Sequence, residues 1–210
     1  MCKRNRIANW RVVGAVGAVL AGAAVQAQVL SVDMDPLTAG IQNTLAATAG
    51  QNISVDILLQ PGAPAGVSSY SVSVQFDNTE LSHTGAAEPL PAGYAFNLLA
   101  GTALTVNVAP GVDQVSSFDA GTFGAGPAGP PPFVIGSISF TVGVPANDGL
   151  ADITPGFFSV GIDGMFNNAG GPVAPAIAPG FLVPEPGVIY GAALLLGFAA
   201  FHGYRRSRKA

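Results

Sequence analysis

Cysteine, basic residues and charge in general are scarce in this sequence, and each shortage excludes a class of protein. The only cysteine is Cys2, which excludes a disulfide framework, a zinc–thiolate site and a cysteine nucleophile from the rest of the chain. No lysine or arginine occurs between Val12 and Tyr204. Such a stretch would repel phosphate backbones, so nucleic acid is an unfavourable partner. Charged residues make up only 10% of the chain, against about 25% in ordinary soluble domains.

Helical periodicity is missing from the interior as well. No stretch between the two ends places apolar residues at helical spacing between capping residues. Glycine (28) and proline (17) are abundant, which predicts many turns, and the 49% of hydrophobic residues are enough for a core. A length of 210 residues favours one domain once processing segments are set aside.

The charge that is present divides by position. The eight basic residues lie at the two ends, and the twelve acids lie from Asp33 to Glu185. At the first end, a basic segment leads into an apolar run and then into small residues. This pattern predicts a signal peptide over residues 1–27, cut by signal peptidase between Ala27 and Gln28. A retained N-terminal anchor is the alternative.

The second end has three parts in a fixed order. The motif "VPEP" comes first, an uncharged apolar run over residues 187–204 follows, and the basic cluster of residues 205–210 closes the chain. At 1.5 Å per residue the run reaches about 27 Å, close to one hydrocarbon core. We therefore predict a transmembrane helix whose far end is held in the cytoplasm by Arg205, Arg206, Arg208 and Lys209. The alternative, a buried C-terminal helix, does not explain the basic cluster.

This order of motif, span and basic tip resembles the PEP-CTERM sorting signal of Gram-negative bacteria, over residues 184–210. The motif residues are Val183, Pro184, Glu185 and Pro186. The resemblance implies recognition by an exosortase, a membrane-embedded cysteine transpeptidase that cuts near the motif. It implies a transient inner-membrane anchor with the domain on the periplasmic side, then a place at the cell surface or outside the cell. It also implies a link to exopolysaccharide and biofilm. The two prolines keep the motif extended.

The interior alternates like β-strands. The two clearest runs place apolar residues at every second position: Ile53, Val55, Ile57, Leu59, and Tyr70, Val72, Val74, Phe76. Further predicted strands are "VLSVDM", "ALTVNVA", "DQVSSFDA", "FVIGSISFTV" and "GFFSVGI". The fourth of these needs a bulge at Gly136 to bring its apolar residues to one face. Short strands with frequent turns predict an all-β antiparallel sandwich.

Two longer runs resemble the opening and closing parts of a cohesin-type domain: "ISVDILLQPGAPAGVSSYSVSVQFDNTELS" and "VIGSISFTVGVPANDGLADIT". The resemblance implies a nine-stranded jelly-roll sandwich over residues 28–169, related to carbohydrate-binding modules. Residues 170–183 are rich in proline and glycine and carry no charge, which predicts an extended linker that holds the domain off the membrane.

Few interior residues offer catalytic chemistry. His83 has Ser82 and Asp77 nearby in sequence, but adjacent residues of a strand point to opposite faces, so we predict an exposed loop histidine and no triad. Asp119 lies in a sequence similar to one aspartic-protease loop, and that chemistry needs a second loop. The glycines that follow Asp119 have no P-loop lysine. No catalytic residue is predicted.

Calcium is the one ion for which ligands are plentiful. We predict that a calcium ion, if bound, lies at Asp77 and Glu80 or at Asp163 and Asn167. The alternative is that these acids only keep a domain without cations dispersed in solution. No other cofactor is predicted.

These observations together predict an exported, non-enzymatic adhesion or matrix protein that binds a polysaccharide or a protein. A carbohydrate-binding module acting on exopolysaccharide is the first alternative, and exposed aromatic faces would favour it. A secreted hydrolase is the second alternative, opposed by the missing catalytic constellation.

Overall fold

The structure, a computed structural model, describes residues 27–97, 104–146 and 148–185, and of residues 104–107 only the backbone. Within these ranges the chain forms twelve strands and no helix. In chain order the strands are β1 Val29–Asp33, β2 Thr44–Ala47, β3 Asn52–Gln60, β4 Ser69–Asp77, β5 Leu81–Ala87, β6 Leu104–Ala109, β7 Val112–Gly121, β8 Phe133–Val142, β9 Ile153–Gly156, β10 Gly164–Phe166, β11 Ala176–Ala178 and β12 Phe181–Pro184.

The features predicted at the chain ends lie outside the described residues. They are the signal peptide before Ala27, the motif residue Pro186, the span over residues 187–204 and the basic cluster of residues 205–210. In the part of the chain that the structure covers, no helix is long and apolar enough to cross a membrane.

The strands form two five-stranded sheets and one two-stranded sheet. The first sheet has the order β11-β1-β3-β8-β5. In the second, β4 pairs with β7 on one side and with β9 and β10 on the other, and β6 lies beyond β7. The third sheet contains only β2 and β12. Neighbouring strands are antiparallel except for two parallel pairs, β1 with β11 and β2 with β12.

One core lies between the two large sheets. The predicted apolar faces of β3 and β4 are both buried, which confirms their register. Across the core, the rings of Phe76 and Phe140 have centroids 5.0 Å apart. This packing of two sheets around one core confirms the predicted all-β sandwich.

The predicted bulge in β8 is also present. The β3–β8 pairing shifts register between Ile57 and Leu58, where Gly136 and Val134 are the respective partners. A Cβ atom at Gly136 would stand 2.2 Å from the Phe118 ring of the facing sheet. Glycine is therefore needed here because the facing sheet packs directly on the backbone.

The predicted linker and the predicted strand "GFFSVGI" are wrong. Residues 170–183 contain β11 and most of β12, both paired with strands of the sandwich, because buried residues such as Leu182 anchor this proline-rich stretch. Residues 157–163 form a loop, because the Asp163 carboxylate accepts hydrogen bonds from the backbone N–H groups of Phe158 and Ser159.

Candidate functional site

The sorting motif begins inside the folded domain. Val183 and Pro184 are the last residues of β12 and pair with Ala46 and Ala47 of β2. The backbone N–H of Glu185 donates to the carbonyl of Ala47 at 3.3 Å. Three of the four motif residues therefore lie along β2.

Several contacts hold the start of β12 in place. Leu182 is buried in the core, and its backbone N–H donates to the carboxylate of Asp152. Just before β12, Gly180 exchanges two backbone hydrogen bonds with Ile153, of 2.8 and 3.3 Å. A Cβ atom at Gly180 would lie 2.4 Å from the sulfur of Met34, so this close approach requires glycine.

A pair of buried carboxyl groups lies beside this strand. Glu80, in the turn after β4, is 4% exposed, and Asp152, immediately before β9, is 3% exposed. The charge of Glu80 raises the pKa of Asp152, so the two carboxyl groups lie close together, and the Oε2 atom of Glu80 is buried without a hydrogen-bond partner. Two carboxyl groups can form a hydrogen bond with each other only when one of them carries a proton.

Burial raises the pKa of both carboxyl groups. It raises the pKa of Asp152 from 3.8 to about 6, although the Leu182 N–H opposes the change. Burial also raises the pKa of Glu80, and the nearby charges of Asp77 and Asp148 act in the same direction. The described residues contain no Lys or Arg, so His83 is the only basic side chain among them that could neutralise the pair.

Sequence reasoning missed the pairing of Glu80 with Asp152. Each carboxylate directly precedes a buried aliphatic residue, Leu81 and Ile153 respectively. An acidic residue directly before a predicted core position of a strand was the signal that could have indicated a buried carboxyl group. The pairing itself depends on β9 lying beside β4, which no local pattern shows.

The side chains predicted to bind calcium instead accept hydrogen bonds, most of them within turns. The Oδ1 atom of Asp77 accepts from the N–H and hydroxyl of Thr79 at 2.7 and 2.6 Å. Both carboxylate oxygens of Asp163 accept hydrogen bonds, and the side-chain oxygen of Asn167 accepts from two backbone N–H groups. In the described ranges, no group of three or more acidic, histidine or cysteine side chains has an arrangement that could hold a metal ion.

His83 does not lie in an exposed loop, which corrects that prediction. It is half-buried on β5, and its ring centroid lies 6.1 Å from that of Phe140 and 6.4 Å from that of Phe76. Ser82 is exposed, on the other side of the strand. Strand alternation thus separates the two groups that a triad would need together.

Asp119 is buried on β7 in a polar cluster. Its backbone N–H donates to the Glu88 carboxylate, and both acids lie near Tyr70. Burial raises the pKa of Glu88, and the charge of Asp119 adds to this effect. Burial likewise raises the pKa of Tyr70, whose ring packs edge-to-face on Tyr94 with centroids 5.2 Å apart. The two tyrosines are therefore part of the core.

The serine-rich face of β4 is covered by the loop of residues 157–163. The hydroxyl of Ser73 lies 3.0 Å from that of Ser159 in this loop, and Gln114 donates to Ser159 at 2.9 Å. Ser73 is consequently fully buried, while Val160 of the loop is fully exposed. The outer surface of the second sheet at this point is formed by the loop.

The surface of the described residues includes two shallow clefts and an aromatic pair. A cleft of about 410 Å³ lies between the loop after β1 and the start of β3, and one of about 250 Å³ lies between β10 and the loop that precedes it. Phe123 is 92% exposed and stacks on Phe96 with ring centroids 4.9 Å apart.

No protein-family model and no curated protein matches the chain. Among solved structures, it is similar to cohesin modules. The sixth cohesin of scaffoldin B from Acetivibrio cellulolyticus, solved in complex with a Cel5 dockerin, is 15% identical with a TM-score of 0.46, over 76% of this chain and 99% of the cohesin. A cohesin module of a family 33 glycoside hydrolase from Clostridium perfringens is 8% identical with a TM-score of 0.45, over 76% and 99%. The type II cohesin A11 from Bacteroides cellulosolvens is 13% identical with a TM-score of 0.44, over 75% and 99%.

Proposed function

We propose that this chain is an exported, non-enzymatic surface or matrix protein whose tail is a sorting signal processed by an exosortase. The observation that carries the proposal is the charge map: all basic residues lie at the two ends, and all acids lie between them. The second basic cluster follows an uncharged run of membrane length, and the VPEP motif precedes that run. Export followed by release to the surface or the matrix accounts for this order.

The arrangement of polar groups in the sandwich supports binding in preference to turnover. Most acids of the described residues cap turns or are buried, and the one histidine among these residues, His83, packs against two phenylalanine rings. With no Lys or Arg, a developing negative charge could be met only by backbone amides, hydroxyls or a metal ion. The ligand that fits this acidic domain is a basic protein segment.

Processing is tested by mass spectrometry of the extracellular fraction. We expect a mature protein that begins near Gln28 and has lost the basic residues Arg205 to Lys209 in a strain with active exosortase. A strain without the exosortase should retain the tail in the membrane fraction. Recovery of an extracellular form that keeps the basic tail from the exosortase-positive strain would contradict the proposal.

A role as a carbohydrate-binding module is the second candidate, and Phe123 is the observation that favours it. Its exposed ring, supported by Phe96, is the kind of flat apolar surface on which sugar rings stack. The buried tyrosines Tyr70 and Tyr94 offer no such surface. Glycan-array binding that is lost in Phe123→Ala and kept in Phe157→Ala would establish this second role.

A further inference from the structure

The folded domain and the predicted membrane span are separated by very little chain. Pro184 ends β12, and Gly187 begins the apolar run. Three extended residues reach at most about 11 Å. A single α-helix with its side chains is about 10–12 Å wide. While β12 is docked, the chain that links it to the predicted span is thus no longer than one helix is wide, which is too short for an enzyme active site to close around the motif.

The backbone of the motif is also already hydrogen-bonded to β2. Val183 and Pro184 lie in the parallel ladder with Ala46 and Ala47, and the N–H of Glu185 is bonded to Ala47. Peptidases that take extended substrates bind them through the same main-chain groups, in the manner of an added strand. The strand β2 and a processing enzyme therefore compete for one stretch of backbone.

The docked strand is anchored at its other end by the core. Leu182 is 2% exposed, and the Asp152 carboxylate holds its N–H. Half-buried Leu45 of β2, the register partner of Leu182, packs against the same core. The motif cannot leave β2 unless these contacts open.

We propose that docking of β12 on β2 closes the sorting motif to processing, and that the cut is made only on chains in which β12 has left β2. This inference rests on the proposed function. The rate of processing is then set by how often β12 opens or by how late in folding it docks. A domain whose strand is docked keeps its membrane anchor, and a domain whose strand is open loses it.

The test changes β2 and the start of β12 and leaves the motif itself intact. Thr44→Cys with Phe181→Cys places two cysteines at directly paired positions, so that a disulfide locks β12 on β2. The single variant Phe181→Cys is its control. Leu45→Ala loosens the docking from the β2 side, and Leu37→Ala is its matched control because Leu37 is 98% exposed.

Loss of the C-terminal tail is followed by pulse-chase in an exosortase-positive strain. We expect the locked chain to be cut at about a tenth of the wild-type rate or less, with the rate restored by reductant, since each 1.4 kcal/mol of added cost for opening is a factor of ten. Leu45→Ala should be cut several-fold faster than wild type, and both controls at the wild-type rate. The locked chain retains the buried core, so its result stands whatever Leu45→Ala does to folding.

The outcomes separate the two proposals. If the locked chain is cut equally fast with and without reductant, the gating is overturned and exosortase processing stands. If every variant and the wild type keep the tail, processing is overturned and the gating with it. Hydrogen exchange of the full chain in detergent micelles adds a readout without the enzyme: protection of the Glu185 amide, which donates to Ala47 of β2, supports docking, and exchange at the rate of an unfolded chain overturns it.

Discussion

Replacing Asp152 by asparagine should stabilise the domain at neutral pH. Asp152 is 3% exposed, accepts a hydrogen bond from the backbone N–H of Leu182 and lies close to the carboxyl group of Glu80. Asparagine has nearly the same size, keeps an oxygen for the Leu182 N–H and offers an N–H group to Glu80. The variant Asp152→Asn therefore imitates the protonated acid at every pH.

The pKa of Asp152 gives the size and sign of the effect. Its pKa is 3.8 ordinarily and about 6 in the fold. A group whose pKa is raised by folding stabilises the native state fully below pH 4, and this contribution is lost as pH rises through 6. The change corresponds to at most about 3 kcal/mol, and screening by water at this end of the sandwich lowers it. The raised pKa of Glu80 acts in the same direction.

The measurement is urea unfolding of residues 28–185 for wild type and Asp152→Asn at pH 4 and pH 7.5. We expect the free energy of unfolding of the variant, relative to wild type, to increase by about 2 kcal/mol between pH 4 and pH 7.5. Asp148→Asn is the control for charge repulsion: Asp148 is exposed and makes only a minor contribution to the raised pKa values of the pair, so its effect should be clearly smaller.

The proposed effect of the raised Asp152 pKa on stability is refuted if the difference in unfolding free energy between Asp152→Asn and wild type is the same at both pH values. It is also refuted if Asp148→Asn reproduces the effect, because the cause would then be general relief of acidic repulsion. A variant that is less stable than wild type at pH 7.5 would show that an ionised Asp152 holds β12 better than a neutral group does.

Two further predictions concern the core. Phe76→Ala should lower the free energy of unfolding by about 3–5 kcal/mol, because Phe76 is 2% exposed and packs on Phe140; Phe123→Ala, at an exposed ring, should be close to neutral in chemical denaturation. A fragment of residues 28–168 should be less stable than residues 28–185 by at least about 2 kcal/mol, because it lacks β11, β12 and the buried Leu182; equal urea midpoints for the two fragments would show that these strands contribute nothing to the fold.

The alternation of apolar and polar residues along the chain was enough to predict the central strands. Tyr70, Val72, Val74 and Phe76 lie on one face because side chains alternate along any strand, and a half-buried strand needs only one apolar face. The bulge at Gly136 could be predicted in the same way, because the parity of apolar residues changes there. The absence of a catalytic constellation and the features at the ends of the chain remain predictions, made from composition, charge and hydropathy.

Tertiary structure decided what the proline- and glycine-rich segments do. Residues 170–183 have the composition of a linker, yet they supply β11 and β12, because pairing with β1 and β2 satisfies their backbone and the core takes up Leu182. The serine face of β4 has the pattern of a solvated surface, yet a loop covers it and bonds its hydroxyls. Glu80 and Asp152 are 72 positions apart and meet only because β9 pairs with β4. Local sequence sets the period of a strand, whereas strand neighbours and buried partners depend on contacts between distant segments, which composition and spacing do not encode.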